Sequence, residues 1–174
     1  MEELEFVRLN VNDLRDADLD CGNDDLNEFF FVDSKANSRE LLAVTYAWNL
    51  RGKTIAFFSV SNDAITSQNV ENFNRFRRFL PWGKRYSTMP AVKIGRFAVD
   101  KNAKKQGYGT QIMDFIKIWF VTRNKTGCRF ILVDALKEAQ PFYEKNGFSF
   151  LSSSKENDTT RLMYFDLKIV MPIS

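Results

Sequence analysis

The stretch KNAKKQGYGT at 101–110 joins a strand-like run, AVKIGRFAVD, to a helix-periodic one. A strand, a glycine loop and a helix in that order gather free N–H groups and about half a positive charge at one point, which suits a phosphate. Two common loops of this kind do not fit. A P-loop needs GxxxxGK[ST], and here Thr110 follows Gly109 with no lysine between them. A dinucleotide fingerprint needs GxGxxG after the first strand of its domain, but Ile112 stands at the third glycine position and three strand-like runs already precede it. The chain contains no histidine, which excludes Ser-His-Asp and Cys-His nucleophiles and a His-ligated zinc site. Proton transfer is left to carboxylates, Tyr, Lys, Cys or water. Cys128 opens a strand with no histidine to activate it and reads as a small core residue.

The elements that must hold this loop can be read from periodicity. LEFVRLN (4–10) predicts a first strand, and GNDDLNEFFFVDSKANSR a helix capped by Asn23 or Asp24, with Leu26, Phe29, Phe30 and Val32 as its apolar stripe. LLAVTYAWN (41–49) and TIAFFSVSN (54–62) flank RGK as a hairpin. Residues 63–90 are less regular, with Phe73, Phe76, Phe79 and Leu80 predicting a helix that stops before Pro81. The strand 91–100 carries Gly95, an interior glycine of the kind that marks a bulge or a close backbone approach. Ile112, Phe115, Ile116, Trp119 and Phe120 then form an amphipathic helical stripe. RFILVDAL (129–136) is a strand apolar on both faces, EAQPFYEKN a short helix ended by Gly147, and FSFLSS and RLMYFDL a closing antiparallel pair. Strands surrounding a central βαβ unit at 92–134 give an α/β fold with a mixed sheet.

Composition bounds what such a fold can be. A chain of 174 residues is expected to form a single domain, 1–174. Its 44% apolar and 27% charged residues are ordinary for a globular protein, and seventeen phenylalanines predict an aromatic-rich core. No run approaches the roughly 18 apolar residues of a membrane span. MEELEFVRLN is acidic where a signal peptide would be basic and then apolar, so a cytoplasmic location is expected, with Cys21 and Cys128 as free thiols. The net charge of +3 is too small for an electrostatic nucleic-acid binder, but it is unevenly spread. The acidic run at 13–28 reads as a solvated face. NRFRRFLPWGKR (74–85) holds Arg75, Arg77, Arg78, Lys84 and Arg85 among aromatics, a candidate surface for an anionic partner.

Two of these stretches together resemble the GNAT superfamily of acyl-coenzyme A N-acetyltransferases. VKIGRFAVDKNAKKQGYGTQIMDFI looks like the family's strand, pyrophosphate loop and helix, and ILVDALKEAQPFYEKNGFSFL like the strand and helix that follow, ending in FYEKxGF. The resemblance implies a GNAT fold: a mixed, mostly antiparallel sheet of about 6–7 strands, splayed at its centre and flanked by about 4 helices. It implies acetyl-CoA as the cofactor, with the backbone of Phe97, Ala98 and Val99 along the pantetheine arm and Lys104, Lys105, Gln106, Gly107, Tyr108, Gly109 and Thr110 around the pyrophosphate. Lys104 stands where the family has Arg or Gln, though a lysine can still meet a phosphate as a point charge. Leu136 replaces an asparagine that many relatives place against the cofactor. The family's catalytic tyrosine matches Tyr143, and a phenol of reference pKa about 10 is protonated at neutral pH and available to a departing thiolate. The mechanism so implied is direct transfer in a ternary complex, with a freed N–H near Val99 steadying the oxyanion. Asp134, at the end of its strand, is a candidate base beside a water chain or a substrate that arrives deprotonated.

A narrower resemblance links CGNDDLNEFF, RFRRFLP…MPAVKIGRFAVD and LVDALKEAQPFYEKNGF to the GNAT toxins of toxin-antitoxin pairs, which acetylate the amino group of aminoacyl-tRNA. It implies a tRNA partner received on the basic run, and an antitoxin protein. An α-amino group on an ester has a lower pKa than lysine and needs little help from a base. The first expectation is a general N-acetyltransferase for a small-molecule or peptide amine, with a homodimer compatible with it. The alternatives are the tRNA-directed toxin and a non-catalytic acyl-CoA-binding module.

Overall fold

The structure, a computed structural model, describes residues 4–10, 18–68, 70, 73–77, 86–123, 126–151 and 159–171, and of Arg77 only the main chain. Its strands are β1 (Leu4–Arg8), β2 (Val44–Leu50), β3 (Lys53–Thr66), β4 (Thr88–Val99), β5 (Phe130–Leu136), β6 (Ser149–Phe150) and β7 (Thr160–Asp166). Among the described residues they form a seven-stranded sheet in the order β1-β2-β3-β4-β5-β7-β6. The helices are α1 (Asp24–Glu28), continued by a π-helical turn (Phe29–Asp33) into α2 (Ser34–Arg39), then α3 (Asn74–Arg77), α4 (Tyr108–Thr122) and α5 (Gln140–Lys145). A 3-10 turn, Leu167–Val170, follows β7. The expected element order and α/β class match throughout. No helix among the described residues is long and apolar enough to cross a membrane.

The chain clusters into two compact units, Met1–Ser61 with Ile94–Met113 and Asn62–Lys93 with Asp114–Ser174. In the first, β2 and β3 pair as the expected antiparallel hairpin, and the turn residues Arg51 (φ 53°) and Gly52 (φ 77°) both take positive φ. That is the turn geometry whose twist suits a two-residue hairpin. Asn23 caps the first helix, its side chain accepting from the Leu26 N–H at 3.0 Å. The π turn then widens the helix by one residue and buries two adjacent rings, Phe29 and Phe30, against Phe57 at centroid distances of 6.1 and 4.9 Å. Val32, expected on the apolar stripe, is consequently left exposed. Of the two readings of Gly95, the close backbone approach is not seen: a Cβ there would meet the Ser59 carbonyl at 4.0 Å, an ordinary contact.

In the second unit β7 lies between β5 and β6 and pairs antiparallel with both, so the predicted closing pair is present with a very short β6. Phe76 of α3 meets Phe130 edge-on at 5.5 Å within a core that includes Ile65, Met89, Leu132 and Leu151. The aromatic-rich core expected from composition is realised here as well as around Phe57. The predicted continuation of α3 through Phe79 and Leu80 lies outside the described residues.

Candidate active site

The glycine loop begins where β4 ends. Asp100 donates its N–H to the Ile55 carbonyl at 2.8 Å, and its own carbonyl accepts from Ala103 and Lys104, both at 3.0 Å, which curls the chain into a tight turn. Lys105 (φ 64°) and Gly107 (φ 87°) then enter the left-handed region. Alternation of that conformation with its mirror turns successive N–H groups to one side, the geometry of an anion nest. Among the described residues, the N–H groups of 105–110 have no hydrogen-bond acceptor, while the next one, of Gln111, already joins the helical ladder through Gly107 at 3.1 Å. A side chain at Gly107 would lie 3.7 Å from the Gln111 amide, so its backbone sign, not space, calls for glycine. Phe97, Ala98 and Val99 are the last three residues of β4.

The loop is braced by residues that sequence reading left on a solvated face. Asp20 accepts from the Gly22 N–H at 2.8 Å, the Asn27 amide at 3.1 Å and Lys101 Nζ at 2.6 Å. The Lys101 ammonium first, then the two N–H donors, hold the Asp20 carboxyl down at about 2. Asp18 pairs likewise with Lys53 at 2.9 Å. These groups line an open cleft of about 390 Å³ together with Asn102, Gln106 and Tyr108. Residues 80 and 81 positions apart meet here, so only the Asp-Cys-Gly turn signal at 20–22 was available to a reader of the sequence. Asp13 and Asp16 lie outside the described residues. The Lys104 ammonium donates to the Cys21 carbonyl at 2.5 Å.

Tyr143 sits on α5, a helix with Pro141 in its first turn and Gly147 (φ 82°) just past its end. Its ring is 6% exposed and packs edge-on against Phe142 at 5.3 Å and Phe148 at 5.4 Å. Burial pushes its phenol well above the ordinary tyrosine range. The helix is held by Lys117, a buried lysine on α4 whose ammonium donates to the Asn146 carbonyl at 2.8 Å. The buried face of α4 is Ile112, Met113, Ile116 and Lys117; Phe115, Trp119 and Phe120 are only half-buried.

The other candidates are placed differently. Asp134 is exposed and ion-paired with Lys93. Burial pushes the Cys128 thiol up to about 11, and its Sγ donates to the Phe130 carbonyl at 3.3 Å, which leaves it a poor nucleophile. Leu136 stands exposed at the end of β5. Arg75 does not join an open basic face: its guanidinium lies over the rings of Phe76 (4.8 Å) and Tyr164 (5.5 Å) and donates to the Phe150 and Leu151 carbonyls at 3.3 and 3.2 Å. Arg77 ends α3, while Arg78, Lys84 and Arg85 lie outside the described residues.

Comparison with known proteins supplies the context for this loop and phenol. The toxin AtaT in complex with acetyl-methionyl-tRNAfMet shares the fold at 20% identity and TM-score 0.71, each chain being 97% covered. A tyrosine-to-phenylalanine variant of KacT does so at 22% identity and TM-score 0.72, again over 97% of both chains. AtaTR bound with AcCoA matches at 22% identity and TM-score 0.70, over 97% of this chain and 96% of that one. Residues 51–150, which carry β3, β4, the glycine loop, α4, β5 and α5, match the family model described as an acetyltransferase (GNAT) domain, and this chain belongs to that family.

Proposed function

We propose that the chain is an acetyl-CoA-dependent N-acetyltransferase whose acceptor is the amino group of an aminoacyl-tRNA. The observation that carries the cofactor is the row of six unbonded N–H groups at 105–110, at the start of a 15-residue helix. They fit a pyrophosphate, which needs several donors converging on one point and a favourable dipole. When bound, acetyl-CoA supplies the thioester acetyl group. The amides of 105–110 hold the phosphates, and the backbone of Phe97, Ala98 and Val99 lines the pantetheine arm. An N–H near Val99 would support charge on the acetyl oxygen, and Tyr143 would keep a proton for the sulfur. A phenol whose burial favours the neutral form suits that task. Cys128, with its raised pKa, gives no support to a covalent route.

The pairing of Asp134 supports this acceptor. With that carboxylate paired to Lys93, the candidate base of β5 is engaged, and an amine with a low pKa is favoured because part of it is already neutral near pH 7. An aminoacyl ester has such an amine. The fold shared with AtaT, captured with acetyl-methionyl-tRNAfMet and, in a variant, with the C-terminus of the antitoxin AtaR, supports the same reading and an antitoxin partner. The second reading is a small-molecule or peptide amine. Arg75 favours it, because this cation of the basic run is engaged within the fold.

The two part in one assay. Incubation with acetyl-CoA and a mixture of charged tRNAs is expected to yield N-acetyl aminoacyl-tRNA at a rate that falls steeply with salt. Thioester consumption on a panel of free amines, at a salt-independent rate that exceeds that on tRNA, would overturn the tRNA reading. No consumption with either acceptor would leave an acyl-CoA-binding module.

A further inference from the structure

The first position of the phosphate-loop motif has been displaced from the role its charge suggests. Lys104 Nζ lies 2.5 Å from the Cys21 carbonyl oxygen, which no side-chain substitution can supply and which the surrounding turn presents. Gly22 takes φ +73°, and its N–H is fixed by Asp20 Oδ1 at 2.8 Å, so the Cys21–Gly22 peptide has a set orientation. That turn is tied to the loop's base from both sides. The Asp20 N–H donates to Asp100 Oδ2 at 3.0 Å, Lys101 returns its N–H to the Asp20 carbonyl at 2.7 Å, and the Cys21 N–H is held by Asn27 Oδ1 at 3.0 Å. The other Asp100 oxygen accepts from the Asn102 N–H at 2.8 Å.

We propose that Lys104 is a positioning residue and not a phosphate ligand: it ties the base of the loop to the Cys21 carbonyl, and the amides of 105–110 alone recognise the pyrophosphate. This rests on reading 105–110 as the pyrophosphate cradle. The need for a tether is visible one residue later. Lys105 sits at φ 64°, a region that side chains with a Cβ avoid and that persists only where the surroundings impose it. Released from Cys21, the chain at Lys105 relaxes toward negative φ, and the N–H groups that follow turn away from a common point. The turn at 20–22 and its partner Asn27 thereby acquire a function: they are the fixed end of the tether.

The test uses the full chain, with calorimetric binding of acetyl-CoA and of acetyl-pantetheine, which lacks the pyrophosphate, at several salt concentrations. Lys104→Met is expected to weaken acetyl-CoA about tenfold while acetyl-pantetheine stays within about twofold. The salt dependence of acetyl-CoA binding should be unchanged, because the lost lysine never faced a phosphate. Lys104→Arg, which can still donate to Cys21, should restore binding to within about threefold. Gly22→Ala disturbs the other end of the tether without touching a charge. It should weaken acetyl-CoA too, and the double variant with Lys104→Met should be no worse than the weaker single one. A flattened salt dependence in Lys104→Met, or losses that add in the double variant, would overturn the proposal and make Lys104 a ligand. Equal affinity of the unaltered chain for the two compounds would instead remove the cradle itself, and the tether with it.

Discussion

The ammonium of Lys117 lies 2.8 Å from the carbonyl oxygen of Asn146, the residue that closes the helix bearing Tyr143. The lysine is 6% exposed, stands 4.6 Å from the centre of the Phe165 ring, and has Asp114 at 3.1 Å as its counter-charge. A cation placed at a helix C-terminus satisfies a carbonyl that the helix itself cannot. Lys117→Met keeps the length of the stem but leaves that carbonyl unpaired, and is expected to cost about 1–3 kcal/mol of stability. Thermal and urea unfolding measure it; a variant as stable as the parent would show that the contact carries no net weight.

Arg75 makes a prediction that separates packing from RNA binding. Arg75→Ala removes two hydrogen bonds to the end of β6 and a guanidinium stacked on two rings, and should destabilise the chain by about 2 kcal/mol. Arg77→Ala with Arg78→Ala should slow acetylation of charged tRNA more than of a free amine. Equal slowing on both acceptors would remove the basic run from substrate binding.

Tyr143→Phe deletes the donor and leaves the ring contacts with Phe142 and Phe148 in place. Turnover with acetyl-CoA should fall by about 100-fold or more, with acetyl-CoA affinity nearly unchanged. Because burial raises the phenol's pKa, the protonated form persists as pH rises past the ordinary tyrosine value of about 10. Phenolate absorbance should therefore be the same in parent and variant up to that pH. A parent that gains an extra phenolate near pH 9, or a variant that turns over normally, would take the role from Tyr143.

Much of this was legible in the chain and some was not, for identifiable reasons. The glycine loop, the strand before it and the helix after it are local patterns, and the positive φ of Gly107 fits its residue type. The hairpin turn at Arg51 and Gly52 was equally local. What failed to show were groups whose partners are remote in sequence. Asp20 looked solvated because Asp100 and Lys101 are 80 and 81 positions away. The role of Lys117 did not show because helical periodicity cannot reveal a carbonyl 29 positions on. Arg75 read as a basic-face residue for the same reason, since its acceptors belong to β6 and the residue after it. Val32 was misplaced by a π turn, which shifts the helix face by one residue without any composition signal.

The brace around Asp20 also has a pH signature. Its folded carboxyl is held at about 2, below the ordinary aspartate value of about 3.9, so the stabilisation is fully present above pH ~4 and disappears as pH falls toward 2. Carboxyl NMR shifts of Asp20 should show no protonation at pH 3.5. In Asp20→Asn, loop dynamics at neutral pH should resemble those of the parent near pH 2. A carboxyl that titrates near 4 would mean that Lys101 and the Gly22 N–H do not hold it in solution.

The central claim is that main-chain amides at 105–110 bind the pyrophosphate of acetyl-CoA, and amide NMR shifts during titration of the ¹⁵N-labelled full chain test it most directly. The expected result is that saturation with acetyl-CoA moves the amide protons of 105–110 strongly downfield, as charge-assisted hydrogen bonds do, while acetyl-pantetheine leaves them in place. If acetyl-CoA bound and those six amides stayed where they were, the phosphates would lie elsewhere and the account would be wrong.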